Sequence, residues 1–96
     1  MPLVPPTFAQ RAIARGIEAW CQAEGISTSR AALASFGTAV HPPTTTLLIN
    51  LGDTDILIEA ERVVVRMPHR IAEFAYDPAV TMAGVIAAVT RVIETG

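Results

Sequence analysis

Between Thr44 and Met67 apolar and polar residues alternate with a period of two, which predicts β-strands. Gly52-Asp53 suits a two-residue hairpin loop, because glycine at the first central position accepts the positive φ of a type II′ turn. The pairing then follows mechanically. Leu51 faces Thr54, Asn50 faces Asp55, Ile49 faces Ile56, Leu48 faces Leu57, Leu47 faces Ile58 and Thr46 faces Glu59. A second tight turn at Ala60-Glu61 pairs Glu59 with Arg62, Ile58 with Val63, Leu57 with Val64, Ile56 with Val65 and Asp55 with Arg66. A bulge near Ala60 within one long strand would switch the faces in the same way. The turn is preferred, although Ala60-Glu61 lacks the usual Gly or Asn.

This register collects Leu47, Ile49, Leu51, Ile56, Ile58, Val63, Val65 and Met67 on one face of a three-stranded antiparallel meander. It also sets two acids opposite two arginines, each pair contributing roughly 0.2 to 1 kcal/mol. The second face is apolar only at its centre, where Leu48, Leu57 and Val64 form a stripe bordered by polar residues. Covering each of these side chains is worth about 1.5 to 3 kcal/mol. Either a short helix of the chain itself or another molecule supplies that cover.

Helical spacing flanks the meander. Thr7 and Gln10 form a capping-box pattern, and Gly25 is placed to end a helix from about Phe8 to Glu24. Its apolar side carries Ile13, Ile17, Trp20 and Cys21. The stretch Ser27 to Phe36 suggests a short second helix ending at Gly37, followed by an extended linker through Pro42-Pro43. Arg70 to Tyr76 fits a short helix through Ile71, Phe74 and Ala75, or a strand through Ala72, Phe74 and Tyr76; helix is preferred. Asp77-Pro78 is a start signal for a final helix to about Glu94, with Met82, Val85, Ile86, Val89 and Ile93 on its apolar face. Its opposite side carries small residues, among them Gly84 and Ala88, that permit close approach of a neighbour.

The expectation is a single α+β domain over residues 1–96: a three-stranded meander, the N- and C-terminal long helices on one of its faces, and short helical segments. The element order is similar to that of double-stranded RNA-binding domains. Small secretion chaperones and phage tail or connector subunits also set helices on one side of a short antiparallel sheet. The resemblance is one of topology alone, because Asp77-Pro78-Ala79-Val80-Thr81 lacks the basic cluster with which the RNA-binding domains open their last helix.

Composition sharpens the picture. Hydrophobic residues make up 51% and charged residues only 17%, which favours a chain that is partly covered by partners. The net charge of -2 argues against nucleic acid as a partner. The uncharged run Pro78 to Thr90 is too short for the roughly 20 residues that span a bilayer. Met1 to Pro6 lacks the basic and apolar regions of a signal peptide, so cytoplasmic residence is expected.

Candidate chemistry is sparse. Cys21 with His41 or His69 resembles a nucleophile and base only on paper, since Cys21 falls beside Trp20 on the apolar side of its helix. Asp53, Asp55, Glu59 and Glu61 cluster in sequence, yet the register commits Asp55 and Glu59 to arginines. His69 lies between Arg66 and Arg70 in a loop, and no phosphate-binding or metal-binding motif is present. No cofactor, metal or catalytic residue is expected. Cys21 to Ser27 followed by Arg30 has the Gly-containing turn of a helix-turn-helix, which would make Arg30 a contact to nucleic acid.

The favoured expectation is therefore a non-catalytic protein-protein interaction or assembly subunit, pairing with itself or with another protein. A structural component of a phage-like or secretion-like assembly is one example. The expected interface is Leu48, Leu57 and Val64 on the sheet, with Gly84 and Ala88 on the last helix. The alternatives are a helix-turn-helix-like dimer on nucleic acid and, third, a small ligand binder or enzyme.

Overall fold

The computed structural model describes residues 4–95. Met1 to Leu3, part of the segment read above for a signal peptide, lie outside the described residues, as does Gly96. The element order is α1 (Phe8–Ala23), β1 (Ser29–Ser35), β2 (Thr44–Asn50), β3 (Asp55–Ile58), β4 (Arg62–Arg66), β5 (Ile71–Ala75) and α2 (Ala83–Thr95). The strands form one antiparallel sheet in the order β1-β2-β3-β4-β5.

Helix α1 begins where its capping chemistry predicts. The Thr7 hydroxyl accepts from the Gln10 amide at 3.1 Å, and the Gln10 side chain accepts from the Thr7 amide at 2.8 Å. At the other end Gly25 adopts φ 73°, the Ile26 amide donates to the Cys21 carbonyl at 2.8 Å, and the Gly25 amide donates to Gln22 at 3.2 Å. That pattern is a Schellman cap, which turns the chain out of the helix through the left-handed conformation glycine accepts freely.

The central register matches the expected one from Leu47–Ile58 to Asn50–Asp55 and from Asp55–Arg66 to Ile58–Val63. Gly52 has φ 94°, and the Leu51 amide closes the first hairpin onto the Thr54 carbonyl at 2.8 Å. Ala60-Glu61 is a turn and not a bulge, closed by the Glu59 amide on the Arg62 carbonyl at 2.9 Å. The β2–β3 ladder stops at Leu47–Ile58, one pair before the expected Thr46–Glu59. There the Gln10 amide enters, donating to the Thr45 carbonyl at 2.7 Å and to the Ile58 carbonyl at 2.9 Å.

Three expectations are corrected. Ser27 to Phe36 is not a helix: Ser29–Ser35 is a strand paired along its length with β2, which raises the strand count. Arg70 to Tyr76 takes the strand alternative, with Ala72, Phe74 and Tyr76 on the inner face. The sheet therefore has five strands, and the topological likeness to double-stranded RNA-binding domains ends with the count. The last helix starts at Ala83, because the Asp77 carboxylate accepts from the Ala79 amide at 2.9 Å and closes a local turn. The side-chain chemistry that suits aspartate to a helix cap suits it equally to such a turn.

The core lies between the inner face of the sheet and the two helices. Leu47, Ile49, Ile56, Ile58, Val63 and Val65 pack with Ile13, Ile17 and Cys21 of α1 and with Val85, Val89 and Val92 of α2. Leu51, Met67, Phe74 and Tyr76 border this cluster. Both helices thus cover one face, as expected from their apolar stripes.

Candidate functional site: an uncovered sheet face and a free edge

The outer face follows from the register. One cross-strand row runs Ala31, Leu48, Leu57, Val64, Glu73, and a second runs Ser29, Asn50, Asp55, Arg66, Ile71. Leu33, opposite Thr46, extends the apolar part towards the β1 edge. Leu48 and Leu57 are half-buried, whereas Leu33 is 44% and Ile71 65% exposed. Val64 is only 8% exposed although, among the described residues, no helix lies on this side. Its shelter comes from neighbours on the sheet, where the stems of Arg62, Arg66 and Glu73 flank it.

Polar groups around the stripe are tied to one another. Arg66 approaches Asp55 at 3.6 Å; Arg62 reaches Glu59 at 3.0 Å and Glu73 at 3.6 Å. Hydrogen bonding and the charges of Glu59 and Glu73 raise the Arg62 pKa above its ordinary value. Asn50 donates to Asp55 at 2.7 Å and accepts from the Gly52 amide at 3.0 Å. These contacts hold a polar rim around an apolar centre.

The edge strand β1 is exposed at every position. Bonded and non-bonded pairs alternate along an antiparallel ladder, so the Leu51–Thr54 bond directs Leu51, Ile49 and Leu47 towards β3. Asn50, Leu48 and Thr46 then bond to Ser29, Ala31 and Leu33 of β1. Arg30, Ala32 and Ala34 are left with N–H and C=O groups directed off the sheet.

The expected site residues separate into two places. Leu48, Leu57 and Val64 share the outer face, while Gly84 and Ala88 lie on α2, beyond the inner face, beside a shallow cleft with Phe74, Tyr76 and Val80. The fold does not bring the two groups together. Arg30 lies on strand β1, with its guanidinium bonded through Nε and Nη2 to the Glu18 carboxylate. The recognition helix required by the helix-turn-helix reading is thus a strand. Sequence reasoning passed over Ala31, Leu33 and Ile71, whose place on the outer face depends on β1 and β5 being strands.

Other chemistry stays apart. Cys21 is fully buried, and burial, with the nearby Glu18 charge, pushes its thiol pKa up. His69, Arg70 and Asp53 line an open cleft with Ile26, Leu51, Met67 and Ile93 at one end of the sheet. His41 lies in the exposed Thr38 to Pro43 linker, where its amide donates to the Thr38 hydroxyl at 3.1 Å. Among the described residues no group of three His, Cys, Asp or Glu is placed to hold a metal ion, and no helix is long and apolar enough to cross a membrane. Comparison with family models, curated proteins and solved structures finds no match to this chain, so its surfaces carry the functional reading alone.

Proposed function

We propose that this chain is a non-catalytic assembly subunit that buries the outer face of its sheet against a protein, either itself or another. One observation carries this reading: both helices pack on the inner face, and among the described residues the apolar centre of the outer face receives no covering element. Supporting it, Leu33 extends that centre towards the β1 edge, and Ile71 adds exposed apolar surface on β5 at the end of the neighbouring polar row. A single domain of this size gains little from half-exposed leucines unless association completes their burial.

The test is solution mass against concentration for the wild type and for Leu57→Asp. The wild type associates below about 100 μM, and Leu57→Asp, which puts a charge at the centre of the stripe, shifts it towards smaller species with unchanged circular dichroism. A wild type that stays monomeric at that concentration, with stability unaffected by the substitution, counts against the proposal. The nucleic-acid alternative has lost its recognition helix to β1, and the cleft beside His69 is open to solvent.

A further inference from the structure

From the geometry of its free edge we infer that β1 pairs in antiparallel fashion with β1 of a second copy, joining two sheets into one with all helices on the same side. This goes beyond the assembly reading, because the contact is the strand edge and not the outer face. Strand β1 runs unbroken through the pairs Ser29–Asn50 to Ser35–Thr44, with no proline and no bulge. Its one charged residue, Arg30, is held by Glu18. Natural edge strands are usually protected by charge, proline, a bulge or a cover; β1 has no proline or bulge and, among the described residues, no cover, and its single charge is paired with Glu18.

The strand is complementary to itself. With Ala32 opposite Ala32 of the second copy, Arg30 falls opposite Ala34, and every outward N–H and C=O of Arg30, Ala32 and Ala34 meets its counterpart. Ser29 then lies opposite Ser35 and Ala31 opposite Leu33, so the outer faces of the two copies run on continuously. The arginines stay apart. The same operation on the other edge sets Glu73 of β5 against itself, a like-charge pair that is destabilising. Pairing β1 with β5 of a second copy is disfavoured by facing. The groups free on β5 belong to the outer-face residues Ile71, Glu73 and Ala75, so that joint would turn the helices of one copy to the opposite side.

The arrangement is isologous and closes as a dimer. Proline is tolerated on an edge strand where its nitrogen faces solvent, so Ala32→Pro deletes an outward donor without touching the β1–β2 ladder. The expected result is a wild type that sediments at twice 10.2 kDa or more and an Ala32→Pro variant whose edge contact dissociates about 10- to 100-fold more readily, with unchanged circular dichroism. As a second measurement, Ala32→Cys cross-links into a disulfide dimer under mild oxidation faster than Ala31→Cys, since opposed Cα atoms in a bonded pair lie about 5.5 Å apart. Leu57→Asp leaves that cross-link in place, which separates edge pairing from burial of the outer face. A monomeric wild type, a dimer that persists in Ala32→Pro but dissolves in Leu57→Asp, or equal cross-linking from positions 31 and 32 would overturn the edge pairing. The second of these outcomes leaves burial of the outer face standing.

Discussion

The side chain of Gln10 in α1 bonds the carbonyl of Ile58 in β3 at 2.9 Å, and so ties the first turn of the helix to the point where the central hairpin opens. The same amide group serves the Thr45 carbonyl on the neighbouring strand, and Gln10 is only 2% exposed. Its side-chain oxygen meanwhile completes the capping box with Thr7. One residue therefore satisfies a helix terminus and the splayed end of a sheet.

Gln10→Ala takes the side-chain donor from the Thr45 and Ile58 carbonyls, of which Ile58 keeps its ladder bond from Leu47, and removes half of the capping box. The expected loss is roughly 2 to 3 kcal/mol, from about 1 to 3 kcal/mol for a buried carbonyl left unpaired together with the weakened cap. Chemical denaturation against the wild type measures it. Gln10→Glu fares no better at neutral pH, because a carboxylate cannot donate to either carbonyl.

A β-carbon added at Gly16 would lie 2.6 Å from Ile86 Cδ1 and 3.3 Å from Ile86 Cγ1 and Cγ2, so α1 and α2 meet closely at this point. Gly16→Ala gains helix propensity of about 1 kcal/mol against the cost of moving Ile86, and its net effect is small. Gly16→Val adds a branched side chain to the same contact and lowers stability by about 1 to 3 kcal/mol. Thermal unfolding of the two variants separates the terms.

Tyr76 donates its hydroxyl to the Glu59 carbonyl, and burial, aided by the charges of Glu59 and Glu61, pushes its pKa up to about 12. The free phenol titrates near 10. A pKa higher in the folded state than in the unfolded state means that the neutral phenol stabilises the fold. This contribution is complete below about pH 10 and is lost as pH rises from there towards 12. Unfolding measured across that window falls more steeply in the wild type than in Tyr76→Phe. Ultraviolet titration of the phenolate reads the folded pKa directly.

Cys21 is inaccessible in the folded chain, and its raised pKa keeps the thiolate scarce. A thiol reagent at pH 8 is expected to react at the rate of local opening, and promptly once denaturant is added. Cys21→Ala retains the fold at reduced stability, and any binding function survives it.

The meander was legible because its information is local. Gly52 sets one turn, and alternation from Leu47 to Met67 assigns each residue to a face without reference to the rest of the molecule. The same holds for α1, whose cap, stripe and terminating glycine lie within one segment. Gln10 shows the limit of such reasoning. Its capping role was legible from Thr7, but its burial against the sheet is legible only when its partners, here 35 and 48 residues away, are known.

The remaining elements depended on contacts distant in sequence. Ala31, Ala32, Leu33 and Ala34 favour helix by intrinsic propensity, and a strand that buries neither face shows no alternation to contradict it. Hydrogen bonding to β2 alone makes Ser29–Ser35 a strand. For β5 the alternation of Ala72, Phe74 and Tyr76 was visible, but a free β4 edge was needed to choose it over a helix.

By itself the sequence determined the central register, the two amphipathic helices and the existence of a second apolar sheet face, since each follows from periodicity and turn chemistry over neighbouring residues. Only the tertiary structure decided that Ser29–Ser35 and Ile71–Ala75 are strands and that β1 lies at an edge. Those outcomes come from competition among segments far apart in the chain for free hydrogen-bonding edges. They leave Leu48, Leu57 and Val64 without a cover among the described residues, and Arg30, Ala32 and Ala34 with backbone groups directed off the sheet.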